Sequence, residues 1–157
     1  MEEKEEIVWG AVYDPLREEM FKAQVGGGAT LNNTPIKVST VREMEKSFLC
    51  TGFPYDVHES SEDNLVHFKN LIKCAQAIRR DGSAALDLCY VAMGRFDGFW
   101  EMKLKPWDVA AGALIVLEAG GNVTGFDGGA FDINTPNILA ANRGLHKDML
   151  KVLGSSI

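Results

Sequence analysis

The chain has 157 residues, a formal net charge of −6, and 46% hydrophobic against 24% charged residues, the make-up of one globular domain with room for a core. That acidity, with no basic stripe along the chain, excludes nucleic acid as the expected main partner. No apolar run approaches the ~20 residues of a membrane span, and the acidic opening MEEKEEI is unlike a secretory leader, so no membrane association and a cytoplasmic location are expected.

The first forty residues read as strands. Ile7–Asp14 and Glu19–Val25 are short β-rich runs joined by PLRE, a hairpin turn with Pro15 near its start. The stretch GGGATLNNTPIKVS follows, with LNNTP as a second tight turn. Its glycines lack the Lys-Ser/Thr ending of a phosphate loop and precede no helix, so they read as a flexible turn. KSFLCTGFP is a further strand, ended by Pro54.

From Ser60 the apolar period lengthens. Leu65, Phe68, Leu71, Ile72, Ala75 and Ile78 fall on one face of a helix of about five turns, and Ser60 with Asp63 has the spacing of a capping box. DGSAALDLCYVAMG predicts a second helix, with Ser83 as N-cap and Gly94 as stop. Phe96–Leu104 is a strand. LKPWDVAAGALIVLEAGG, Leu104–Gly121, is a third helix whose small residues in the first turns admit another backbone. NVTGF and NILAAN are short strands around a DGG turn, and LHKDMLKVL closes as an amphipathic helix. Strands first, then helices alternating with strands, predict layered α/β sheets.

Candidate chemistry is sparse. Cys50, Cys74 and Cys89 have no C-x-x-C spacing and read as free thiols. His58, His67 and His146 make no i, i+4 pair. Asp108 stands alone in an apolar helix, in the first turn, where free N–H groups and the helix dipole favour an anion. That position explains an aspartate without any catalytic role. In the same way Ser83 is explained as an N-cap and Glu101 as a solvated charge at a strand end.

The letters around Asp108 add to this reading. PWDVAAGALIVLEAGG closely resembles the second signature of the inositol monophosphatase family, W-D-x-A-A/G-G-x-x-[IL]-[VL]-x-E-A-G-G. GAVYDPLREEMFKA, GATLNNTPIKVS, RRDGSAALDLCYVAMGRFDGFWE and NILAAN resemble further family segments in the same order, so the likeness covers essentially the whole chain. It implies the layered αβαβα sandwich of the inositol monophosphatase and fructose-bisphosphatase type. It also implies a Mg²⁺-dependent phosphatase of inositol monophosphate, with Asp108 as a metal ligand and Glu101 hydrogen-bonding a ring hydroxyl. Gly82, Ser83 and Ala84 match a turn and helix start lying against the inositol.

The family's first signature, D-P-[IL]-D-G-T, is absent. The only Asp-Pro, Asp14-Pro15, and the Asp97-Gly98 pair both match other segments. The resemblance is therefore to the C-terminal half of the family fold, with residues 1–50 mainly strands of the first antiparallel sheet and 51–157 the second, mixed α/β layer. It implies one metal ligand and the substrate contacts but no complete catalytic set, and little activity for the chain alone. An exposed sheet edge implies a homodimer or association with a separate N-terminal half. Two alternatives stay open: a non-catalytic binding or interaction protein on the same fold, and a phosphatase for fructose 1,6-bisphosphate, histidinol phosphate or adenosine 3′,5′-bisphosphate.

Overall fold

The computed structural model describes residues 1–3, 6–135 and 137–154. After a small ladder of β1 (Glu2–Glu3) and β2 (Glu6–Ile7), an antiparallel meander is formed by β3 (Trp9–Asp14), β4 (Glu19–Gln24), β5 (Gly28–Leu31) and β6 (Thr34–Pro35). Asp14 shapes the first turn: its Oδ1 accepts the Leu16 N–H at 2.9 Å and its Oδ2 meets Arg17 at 2.9 Å. The LNNTP turn is tight as expected, with Asn32 and Asn33 at φ of 50° and 67°, the left-handed pair that suits a two-residue hairpin.

The second sheet contains β7 (Phe48–Thr51), β8 (Ala77–Arg79), β9 (Gly98–Met102), β10 (Asn122–Thr124) and β11 (Asn137–Ala141), in the order β10-β11-β9-β7-β8. β7 runs parallel to β8 and β9, whereas β11 pairs antiparallel with β9 and β10. The helices are α1 (Leu65–Leu71), α2 (Ala84–Ala92), α3 (Pro106–Glu118) and α4 (His146–Gly154).

These elements stack as sheet, helix pair, sheet, helix pair. Phe21, Leu88, Phe99, Val109, Ile115 and Ile138 join the two sheets to α2 and α3 in one core. Leu49, Leu71, Trp100, Leu139, Met149 and Leu153 form a second core under α1 and α4. All five residues of β9 are consequently buried, as expected for a strand covered on both faces. The small residues of α3 do what their size predicts. A Cβ at Gly112 would lie 2.6 Å from Leu88 Cβ, and one at Gly10 would lie 3.0 Å from Ala111 Cα. The chain thus has the α/β fold expected of it, with two main sheets and four α-helices among the described residues.

One expected element is wrong. The five-turn helix from Ser60 to Ile78 is a short α1 followed by a turn and the strand β8, where Ile78 pairs with Leu49. The Ser60–Asp63 capping box does not form. Asp63 Oδ1 accepts the Leu65 N–H at 2.9 Å, Ser60 Oγ accepts the Glu62 N–H at 3.1 Å, and Asn64 is the N-cap at φ 69°. The cause is tertiary. Asn64 is drawn into the core by partners on β7 and β9, which delays the helix start. The edge of β7 then takes up the apolar Ala77–Ile78 as a strand.

Candidate active site

Because β7 and β9 are parallel, their C-terminal ends lie side by side. The chain leaves β9 through Lys103, at φ 59°, and turns directly into α3. α2 enters β9 from the opposite end, so its own N-terminus lies at the same rim. Strand ends and two helix N-termini therefore converge, the usual place for a ligand in an α/β sheet and one that favours anions.

Glu101 occupies the centre of this rim. It is only 9% exposed, which overturns the reading of it as a solvated edge charge. Its carboxylate lies directly on Gly52, just past β7, where any Cβ would overlap it. Burial, then the charges of Asp87 and Asp108, push its carboxyl up to about 8, and Arg80 offsets part of the rise. The guanidinium of Arg80 rests over the Phe53 ring at 5.6 Å.

Asp108 occupies the first turn of α3, half-buried, and its Oδ2 accepts the Lys105 N–H at 2.9 Å. Ser83 is the N-cap of α2, accepting the Leu86 N–H at 3.5 Å. Gly82 precedes it at φ 90°, in the left-handed region that favours glycine, and Ala84 begins the helix. The readings of Asp108 and Ser83 as helix-start residues are thus met geometrically, and Asp108 is also close enough for its charge to act on Glu101.

Sequence reasoning missed Asp87. It lies one turn into α2, 1% exposed, and its Oδ1 has no hydrogen-bond partner. Burial and then Asp81 raise its carboxyl to about 7. The signal was an acid inside the apolar run AALDLCYVA. Thr51 and Asn64 were missed as well. Thr51 Oγ1 donates to the Trp100 carbonyl at 2.6 Å and accepts from Asn64. Lys103 Nζ meets Asp56 and Ser60, each at 2.8 Å, and so ties the segment after β7 to the rim.

Two other acids singled out in the sequence are structural. Asp14 has the turn contacts described above and accepts the Tyr90 hydroxyl at 3.3 Å. Asp97 accepts the Ser39 hydroxyl at 2.5 Å and the Phe48 N–H at 2.7 Å. The glycine-rich turn has a specific role too. Its Gly26 and Gly28 N–H groups donate to the Glu118 carboxylate at 3.0 and 2.8 Å.

Mg²⁺ takes six oxygens and is usually tethered by one or two carboxylates. Among the described residues no three acids, histidines or cysteines converge as a metal-binding group. Asp108 can offer one oxygen, and the residues present do not by themselves form a Mg²⁺ site.

Comparison with known proteins agrees with this fold. The pattern of the inositol monophosphatase family matches residues 1–157. The inositol-1-monophosphatase of Synechocystis sp. is 46% identical over 147 residues, covering 94% of this chain and 51% of that protein. The Nus factor SuhB of Haemophilus influenzae is 49% identical over 141 residues, covering 90% and 53%. The solved structure of inositol monophosphatase from Anabaena superposes with a TM-score of 0.92 at 46% identity, covering 94% of this chain and 59% of that one. The chain belongs to the inositol monophosphatase family, and it spans about half the length of the curated relatives it matches.

Proposed function

We propose that this chain carries the substrate side of a Mg²⁺-dependent phosphomonoesterase acting on inositol monophosphate or a related polyol phosphate. The observation that carries the reading is Glu101, buried on Gly52 between the N-termini of α2 and α3, with Asp108 beside it in charge terms. Glu101 would accept or donate a hydrogen bond to a ring hydroxyl and so orient the polyol. The turn at Gly82, Ser83 and Ala84 would present first-turn N–H groups to a ligand oxygen. Asp108 would be one ligand of the ion, whose remaining oxygens must come from outside this set. A bound Mg²⁺ would polarise the phosphoryl oxygens.

The first acidic signature is absent from these 157 residues, so the site needs a second polypeptide segment. The outer edge of β3, with Trp9 and Tyr13 exposed on its face, is where such a segment or a second copy would add.

The test is phosphate release from inositol 1-phosphate with Mg²⁺. The chain is assayed alone and mixed with a polypeptide carrying D-P-[IL]-D-G-T. Little turnover alone, turnover in the mixture, and its loss with Glu101→Gln or Asp108→Asn are expected. Robust turnover by the chain alone overturns the division of labour, and an inert mixture overturns the phosphatase reading. A second reading, a non-catalytic interaction protein, draws on the match to a protein named Nus factor SuhB, which is not a phosphatase name. The inert mixture is the outcome it expects.

A further inference from the structure

A second concave site lies at the far end of α3 from Asp108. From Asp108 to Glu118, the last residue of α3, the helix rises roughly 15 Å at ~1.5 Å per residue. The cavity holds about 580 Å³ and its lining includes Lys37, Arg42 and Arg143, with Glu118 as the one acid. Both Glu118 oxygens already accept backbone N–H groups from Gly26 and Gly28. None of the three cations forms an ion pair or a side-chain hydrogen bond among the described residues. Other cations of the chain, Arg79 and Lys105 among them, also form no ion pair among the described residues; what sets these three apart is that they line one cavity whose single acid is already engaged. In a chain of net charge −6, three unpaired cations around one cavity reverse the local field.

Fixed backbone holds these cations in place. Asn142, 1% exposed, donates to Ser39 Oγ at 2.7 Å and to the Val41 carbonyl at 3.0 Å. Its Oδ1 accepts the Gly144 and Leu145 N–H groups at 2.8 and 3.0 Å. One buried amide thus clamps the segment carrying Arg42 to the turn carrying Arg143. Gly144 completes the fit, since a Cβ there would meet Arg42 Cγ at 3.0 Å, so the arginine stem lies on the bare backbone. Lys37 is held on both sides, by Ile36 N–H to Ala29 O at 3.0 Å and Val38 N–H to Ala119 O at 3.2 Å. The Ser39 hydroxyl donates to Asp97 at 2.5 Å, which makes that wall part of the sheet framework.

We propose that this cavity binds a compact polyanion, a small molecule bearing two or more phosphoryl groups, independently of the rim at Glu101. Its volume is within the ~300–1,000 Å³ of small-molecule sites, and paired guanidinium groups suit phosphate through bidentate, charge-assisted hydrogen bonds. The carboxylate of Glu118, held by its two glycines, leaves the arginines free for the ligand.

The probe is inorganic pyrophosphate, titrated calorimetrically into the whole chain at low ionic strength with EDTA present, so that metal-assisted phosphate binding is silent. Saturable binding is expected. It should weaken at least about tenfold in Arg42→Gln/Arg143→Gln, because the charge-assisted bonds to the phosphoryl oxygens are lost, and stay unchanged in Asp108→Asn. Both substituted arginines are exposed, and an unaltered melting temperature confirms that the double variant folds. Amide chemical shifts of the wild-type chain supply the second measurement and should move at residues 39–42 and 143–144. Absent binding, undiminished binding by the double variant, or shifts confined to residues 82–84 each overturn the proposal. Binding of a short single-stranded RNA without binding of pyrophosphate overturns it too, in favour of a nucleic-acid surface.

Discussion

The side-chain carbonyl of Asn64 accepts the indole N–H of Trp100 at 2.8 Å, while its amide donates to Thr51 Oγ1 and the Gly52 carbonyl at 3.0 and 2.7 Å. One amide thereby joins the start of α1 to both strands that end at the candidate site. Asn64→Leu leaves the Trp100 indole donor unsatisfied in the core and the Gly52 carbonyl with only the longer contact from Thr51 Oγ1 at 3.3 Å. A loss of about 2–4 kcal/mol is expected, read from urea unfolding. A loss below about 1 kcal/mol would show that the network is not structural.

The crossing of α2 and α3 depends on the missing side chain at Gly112. Gly112→Ala places a methyl 2.6 Å from Leu88 Cβ and forces the helices apart. Overpacking of about 1–3 kcal/mol should outweigh the ~1 kcal/mol that alanine gains in helix propensity. A cycle with Leu88→Ala, which keeps Cβ but removes the Cδ1 that the new methyl would meet at 2.7 Å, checks the cause: the pair should be less destabilised than the sum of its members.

Gly52→Ala removes no charge yet displaces the Glu101 carboxylate. In the two-polypeptide assay it should lower turnover by roughly 10- to 100-fold, the scale of a ~1 Å misplacement. Wild-type turnover in this variant would detach the Glu101 position from function.

Asp87 makes stability depend on pH in a set direction. Its carboxyl rises from 3.8 to about 7 in the folded chain. Between those values the folded chain keeps a proton that the unfolded chain has lost, so stability falls as pH rises through that window. Asp87→Asn abolishes this term. The variant's thermal stability relative to wild type should grow from about pH 4 to pH 7 and then level off. A constant difference across that range would be the contrary result.

Trp9 and Tyr13 stand on the outer face of the edge strand β3, 39% and 51% exposed. Sedimentation velocity should show the wild-type chain self-associating, or binding the polypeptide that carries the first signature. Trp9→Lys/Tyr13→Lys should suppress that association while leaving the far-UV spectrum unchanged. A wild-type chain that stays monomeric and ignores the polypeptide would contradict the reading of β3 as an incomplete edge.

Where local chemistry decides the conformation, the sequence was legible. Ser83, Pro106, Asn32 and Asn33 mark helix starts and a hairpin through backbone preferences of their own, and the structure places α2, α3 and the β5–β6 turn there. Glu101 and Asp108 were singled out through the family pattern, and the fold brings the charge of Asp108 to bear on Glu101. β8 was lost because Ala77–Ile78 continues a helical period, and only the distant edge of β7 makes it a strand. Asn64 and Asp87 were missed for the same kind of reason. Their roles depend on partners 36 residues away or on burial among groups that no local spacing reveals.

The three thiols differ in a way that is useful at the bench. Cys50 and Cys89 are wholly enclosed and Cys74 is only partly covered, beside the end of α1. Burial raises the Cys50 and Cys89 thiols far out of the reactive range. A maleimide fluorophore added to the native chain will therefore attach at one place, without cysteine-removing mutagenesis. Full tagging of all three thiols would report the unfolding of the core between the two sheets, which holds Cys50 and Cys89.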